Sequence, residues 1–489
     1  MIILPCFPSP DWARILTAGQ DRATLPQPRE SRSMTVARQL ATFLTETKTA
    51  DLPERALDYA AMVIASTLAS AACGTGIESA RIVRAMAQER GGREDSAVWF
   101  DAGVKLPVAS AIQANAVLSD AAASDDSDLR NIVHAGTPLT AAALAFAERE
   151  GSGGEAVLTA IVLGYEAAGR ISEAITPTFK DRGFHGCLGA AFASAVASAR
   201  MLELSAEQMA QTIALTAVSI GGLATAADTS VSREWHAGLA AMHGANAALA
   251  AQRGFVGEAR ILEAKRGFFE AFGGVDGMTA GGIATKNMGK TWDILTDMAI
   301  KLVPGGHPFH AIGEAAGNAA RQGDVKAEQI DSIIIHRPGM TALSGPKHPA
   351  DLIDMAHSPT YFAAAGAADH GFSWMHASPE KIADPTIHGL IDRVQLVIEP
   401  VENEAQYRQG ATVTVRTHDG RLFSSTVFEP SGSAALGLSW NDLNTKYREL
   451  MPASGLPASE IEMSLSLIHD FRALTNVSRL TGLLRVATG

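Results

Sequence analysis

Cysteine is nearly missing from this chain: Cys6, Cys73 and Cys187 are the only three in 489 residues. Three scattered thiols build neither a disulfide framework nor a Cys-x-x-Cys metal knuckle, and they offer no motif for an iron–sulfur cluster. Elimination chemistry in such a chain is expected to be acid–base chemistry, and a reducing compartment, the cytoplasm, is the expected location. Aromatic residues are scarce at 6%, so the 47% hydrophobic share rests on Ala, Leu, Ile and Val, which predicts a large core packed with small aliphatic side chains. A basic excess is lacking too. The net charge of −12 argues against nucleic acid as a partner, while a few basic residues gathered in a cleft still suit a small anion. No Gly-x-Gly-x-x-Gly, P-loop or Gly-x-Ser-x-Gly elbow occurs, which removes nucleotide and serine-hydrolase readings. Apolar runs such as LTAIVLGYEAAG are broken by Gly or charge before ~18 residues, so no membrane span is predicted. The opening MIILPCFPSP lacks a basic flank and is cut by proline, unlike a signal peptide. Residues 1–33, closing on the polar run RESRS, read as an N-terminal extension without fixed structure.

What the chain does contain is helix. From 34 to 292 it runs as Ala-rich helical segments punctuated by Gly turns. DLPERALDYAAMVIASTLASAACG shows the pattern, with Asp51 as expected N-cap, Pro53 in the first turn and Gly74 at the exit. Small residues on nearly every face predict closely approaching helices in several layers. Between 293 and 432 the pattern changes: QIDSIIIHRPG, RVQLVIEPV and ATVTVRTHDGRLFSSTVFEP are β-branched and bounded by turn residues, with His418-Asp419-Gly420 as a hairpin signal. Helical periodicity returns over 433–489. The fold class is therefore mainly α: a large all-helical domain with a smaller α+β domain inserted, and a cleft between them suited to a small molecule.

Five polar constellations stand out in this apolar background. SDAAASDDSDLRNIVHAG gathers Asp120, Asp125, Asp126, Ser127 and His134, where paired carboxylates beside an imidazole suit proton transfer, and where interhelical capping is the competing role. His185 precedes a Gly-punctuated helix start whose free N–H groups can take an anion, or it simply packs there. Arg233 and His236 share a helix face, Arg233 being suited to gripping a carboxylate. Lys301 leads a Pro-Gly-Gly turn into His307 and His310; Pro308 is expected to break the helix such a pair needs, so no metal is assigned. Ser358 and Pro359 open a helix that places the Tyr361 phenol toward the cleft, or buries it between the domains.

Taken in order, these segments resemble the MmgE/PrpD family of 2-methylcitrate dehydratases, cis-aconitate decarboxylases and iminodisuccinate epimerases. Asn115 through Ser127 followed by His134 is similar to the family's Asp-Phe-Asp-Asp-Thr stretch and its following His, with Asp125, Asp126 and His134 matching and Ser127 standing for Thr. Gly183-Phe184-His185, Arg233 to Gly238, Lys301 to Pro304, Ser358 to Tyr361 and Lys446-Tyr447-Arg448 resemble further elements. Three positions depart: Ala123 stands for the first Asp, Asp120 for a His and Arg233 for a Lys. The resemblance implies a small α+β lid domain, a homodimer and a cofactor-independent active site in the cleft. It further implies a lyase of hydro-lyase or decarboxylase type on a small di- or tricarboxylate, with an isomerase or epimerase as the alternative; the missing Asp and Lys at Ala123 and Arg233 raise a catalytically silent carboxylate binder as a third class. The expected catalytic residues are His134 for proton transfer, Asp126 as its orienting partner, and His185. Asp125, Ser127, Arg233, His236, Lys301 and Tyr361 are the expected substrate-binding residues.

Overall fold

The computed structural model describes residues 34–486, apart from the side chains of 227–229, and from Val36 onward the chain forms one contact unit. The expectation for residues 1–33 lies outside the described residues. The class is mainly α. The principal helices up to residue 252 are α1 (Val36–Glu46), α2 (Glu54–Gly74), α3 (Glu78–Arg90), α4 (Val108–Ala121), α5 (Gly136–Glu150), α6 (Gly154–Glu173), α7 (Cys187–Met201), α8 (Ala206–Ala217) and α9 (Ser232–Gln252). Helix α7 is the hub. Every residue in it except Arg200 is buried, and it packs against α5, α6 and α9. A helix enclosed on all sides needs small side chains around its circumference, which its Ala-Ser-Gly sequence provides.

Two local expectations change. Asp51 lies in a short 3-10 turn, accepting from the Lys48 N–H at 2.8 Å, and α2 starts one residue after Pro53. Helix α2 is also long and apolar enough by length and composition to cross a bilayer, contrary to the reading of the apolar runs. Of its most apolar window, 89% is buried inside the protein, as in a core helix.

The second hydrophobic core lies on a four-stranded sheet. Strands β1 (Asp126–Asp128) and β2 (Met298–Ile300) form a separate antiparallel pair; the sheet consists of β3 (Ile330–His336), β4 (Val394–Val397), β5 (Ala411–Thr417) and β6 (Leu422–Val427), in the order β4-β3-β5-β6. Only β3 and β4 run parallel, with Ile333 opposite Val394. Alternate residues Ala411, Val413 and Val415 of β5 are buried, the period of a strand with one face on a core. Helices α10 (His307–Gln322) and α11 (Pro359–Ala368) supply the other side of that core. The β5–β6 turn follows its sequence signal, with Gly420 at φ +86°. After Val427 the chain leaves the sheet. Helices α12 (Trp440–Leu450) and α13 (Ala458–His469) bring Leu443, Tyr447 and Leu465 into the same core as α2 and α7.

Candidate active site

The site is organised by β1. Across the β1–β2 pair Asp126 faces Ile300 and Ser127 faces Ala299, and the backbone bond from Lys301 N–H to the Asp125 carbonyl (3.1 Å) extends the register by one residue. Successive side chains on a strand point to opposite faces, so Asp125 and Ser127 go one way and Asp126 the other. On the first face, Asp125 accepts from Lys301 Nζ at 2.6 Å through Oδ1 and from His134 Nδ1–H at 2.9 Å through Oδ2. Ser127 Oγ shares a 2.8 Å hydrogen bond with His307 Nδ1. On the opposite face, Asp126 accepts from the Gly136 N–H at 3.0 Å and from the Tyr165 hydroxyl at 3.0 Å. Gly136 is required there, because a Cβ would lie 2.4 Å from Asp126 Oδ1.

These surroundings set opposite charge preferences. Burial alone would raise the Asp125 carboxyl, but the charges of His134 and Lys301 and their hydrogen bonds outweigh it and hold Asp125 well below the usual carboxylate range. Asp126 is buried as deeply, has the Asp125 charge beside it and no cation in contact, and is raised to about 7. Lys446, on α12, is buried beneath both. It donates to the Ser124 carbonyl at 2.5 Å and to Ser66 Oγ at 2.7 Å, and burial lowers its ammonium to about 7 against the pull of Asp125.

Over the Asp125 face opens a cavity of about 370 Å³. Among the described residues its ionisable lining consists of Lys180, Arg233 and Lys301 and four imidazoles, His134, His185, His307 and His357, with no acidic side chain. The carboxylates stand behind the cations. Asp125 backs Lys301, and Asp120 Oδ2 lies 3.1 Å from Arg233 Nε, while Arg233 also donates to the Asp120 carbonyl at 2.6 Å. Two of the three departures from the resemblance, Asp120 and Arg233, thus face each other as an ion pair. Burial lowers His185 and His307 well below the ordinary imidazole value, with neighbouring imidazoles and cations adding to it, so both rings are neutral near pH 7.

Of the residues singled out in the sequence, His134, His185, Ser127, Arg233 and Lys301 line this cavity, with Asp125 directly behind it. His236 stands beside His185, ring centroids 5.7 Å apart. Three expectations need correction. The partner of His134 is Asp125 and not Asp126, because β1 turns Asp126 to the other face. Tyr361 does not reach the cavity: its ring is buried in the second core and its hydroxyl donates to the His376 carbonyl at 2.9 Å. Ser358 does cap that helix, accepting from the Tyr361 N–H at 3.2 Å. Pro308 does not break a helix but begins one, since the first turn of α10 needs no N–H there. This is how His307 enters the cavity wall. His185 Nδ1 accepts from its own helix, from the Cys187 N–H at 3.3 Å, and so caps the helix start that was expected to hold an anion. Sequence reasoning left out His307, Lys180, His357 and Lys446. The Lys301–His310 run and the Lys446-Tyr447-Arg448 element were the available signals for two of them.

Comparison with known proteins agrees with this architecture. The MmgE/PrpD N-terminal domain model matches residues 38–280 and the MmgE/PrpD C-terminal domain model matches residues 304–467. Human cis-aconitate decarboxylase is 25% identical over 465 residues, covering 92% of this chain and 94% of that protein. The mouse cis-aconitate decarboxylase is 24% identical, covering 84% and 86%, and a cis-aconitate decarboxylase-like protein of Aspergillus oryzae is 23% identical, covering 92% and 97%. With both domain models matched along most of its length, the chain belongs to the MmgE/PrpD family.

Proposed function

We propose that this protein is a lyase that cleaves a small tricarboxylate of the cis-aconitate kind, releasing one carboxylate as carbon dioxide, at the cavity over Asp125. The observation that carries the reading is the cavity lining: seven basic side chains and, among the described residues, no acidic one, in a chain whose net charge is −12. A volume of about 370 Å³ suits a ligand of that size. The names of three relatives favour release of carbon dioxide over release of water.

Lys301 and Arg233, each held by a carboxylate behind it, grip the substrate carboxylates without side-chain reorganisation. When the carbon–carbon bond breaks, its electron pair stays on substrate carbon, conjugated with the alkene and a neighbouring carboxylate, and the Lys301 ammonium stabilises the developing negative charge. Asp125 fixes the His134 tautomer by holding Nδ1–H, which leaves Nε2 as the atom that passes a proton to that carbon. Asp126, facing away, tunes the charge of Asp125 and does not touch the substrate.

The test is incubation of the purified protein with cis-aconitate, citrate, 2-methylcitrate and amino-dicarboxylates, followed by proton NMR. A five-carbon dicarboxylate from cis-aconitate is expected. Loss of water from a hydroxy acid would move the reaction to the dehydratase branch. Proton exchange without any bond cleavage, or no product across the panel, would contradict a lyase.

A further inference from the structure

Beside the cavity, three side chains from two segments assemble the donor set of a soft-metal site. His185 and Cys187 flank the start of α7, and His236 comes from the first turns of α9. One ligand atom from each, two imidazole nitrogens and the thiol sulfur, lies within 4.8 Å of the other two. Four-coordinate zinc, with Zn–S about 2.3 Å and Zn–N about 2.0–2.1 Å, sets its ligand atoms roughly 3.3–3.8 Å apart, so any gap left for the three to close is at most about 1.5 Å. Two further observations point to a ligand there. His236 Nδ1 is buried and has no hydrogen-bond partner, a lone pair that protein atoms leave unused. Gly222 keeps the space between the ligands open, since a Cβ at that position would lie 2.3 Å from Cys187 Sγ and 3.5 Å from His236 Nδ1.

We propose that His185, Cys187 and His236 bind a divalent transition-metal ion of the zinc class, the fourth position being open to water or to a carboxylate in the cavity. The Cys187 thiol, which donates to the Gly221 carbonyl at 3.4 Å, exchanges that bond for a metal–sulfur bond and releases one proton to solvent. The Asp120 carboxylate, 3.1 Å from Arg233 Nε, offsets the guanidinium charge that would otherwise repel a cation. Because His185 lines the cavity, the bound ion engages a substrate carboxylate off the reactive geometry and inhibits turnover. That consequence rests on the proposed function; the site itself does not.

The test is titration of chelator-stripped protein with Co²⁺ as the spectroscopic stand-in for zinc. One equivalent is expected to bind with a sulfur-to-cobalt charge-transfer band and the intense visible bands of a four-coordinate ion, and Zn²⁺ should bleach both. Cys187→Ser should abolish the charge-transfer band and weaken binding roughly 100-fold or more, since loss of even an outer-shell partner costs about 10–100-fold. His236→Gln, on a half-exposed side chain, should weaken binding while keeping the sulfur band, and it carries the test if the Cys187 variant fails to fold. No cobalt spectrum, or one unchanged in both variants, overturns the site. Tight binding with full turnover of cis-aconitate would leave the site standing and overturn its placement against the substrate.

Discussion

The two faces of the β1 segment carry adjacent carboxylates in opposite states. Asp125 faces Lys301 and His134, with the cavity beyond; Asp126 faces a backbone N–H and a phenol in the helical core. Both are fully enclosed, so burial does not distinguish them. The difference is which side of a three-residue strand each occupies, and it teaches that charge in this site is allotted by strand parity: cations on the cavity face hold one carboxylate ionised, and its charge helps keep the other protonated.

The largest effect is expected from Asp125→Asn. It leaves the Lys301 ammonium, 1% exposed, without its partner, and breaking a buried ion pair costs about 3–5 kcal/mol, readable by urea denaturation. Turnover should fall further than in any other single variant, and a folded, active Asp125→Asn protein would break the comparison. His134→Ala comes next: loss of a general acid–base group should lower kcat roughly 100- to 10,000-fold, while Asp125 keeps Lys301 and the fold is retained. On the other face, Tyr165→Phe removes one donor to Asp126 and should cost about 1–3 kcal/mol of stability with little change in kcat. Ser127→Ala, which frees His307 Nδ1, should cost about 0.5–1.5 kcal/mol and lower kcat modestly.

The pH dependence sharpens the same contrast. With its folded pKa raised from 3.8 to about 7, Asp126 keeps a proton that the unfolded chain gives up, so its contribution to stability falls as pH rises from about 4 to about 7. Asp125, with its folded pKa depressed, contributes stability above the unfolded value that is lost only as pH falls below it. Asp126→Asn should therefore flatten the stability profile between pH 5 and 7, measured by denaturation, and retain more turnover than Asp125→Asn. A profile with its slope unchanged would contradict the assignment to Asp126.

Much of the fold was legible because its signals are local. The Ala-rich helices, the Ser358 cap and the Gly420 turn depend on residues within a few positions of one another. The cluster from Asp120 to His134 was legible as a site for the same reason. What escaped depended on distant pairing. The β1–β2 pair joins two three-residue segments far apart in sequence, and the parity it imposes decides that Asp125 and not Asp126 meets His134. Tyr361 was placed by its position in the first turn of α11, but the second core closes over that face of the helix. Lys446 reaches the site only because α12 returns to the first core.

The account is tested most directly by running cis-aconitate turnover in deuterated water with the wild type and His134→Ala, followed by proton NMR. The wild type is expected to place one deuterium on the carbon that lost its carboxylate, and His134→Ala to form that product at least roughly 100-fold more slowly while remaining folded. Wild-type rates in His134→Ala, or product without solvent deuterium, would contradict proton delivery from the Asp125–His134 pair.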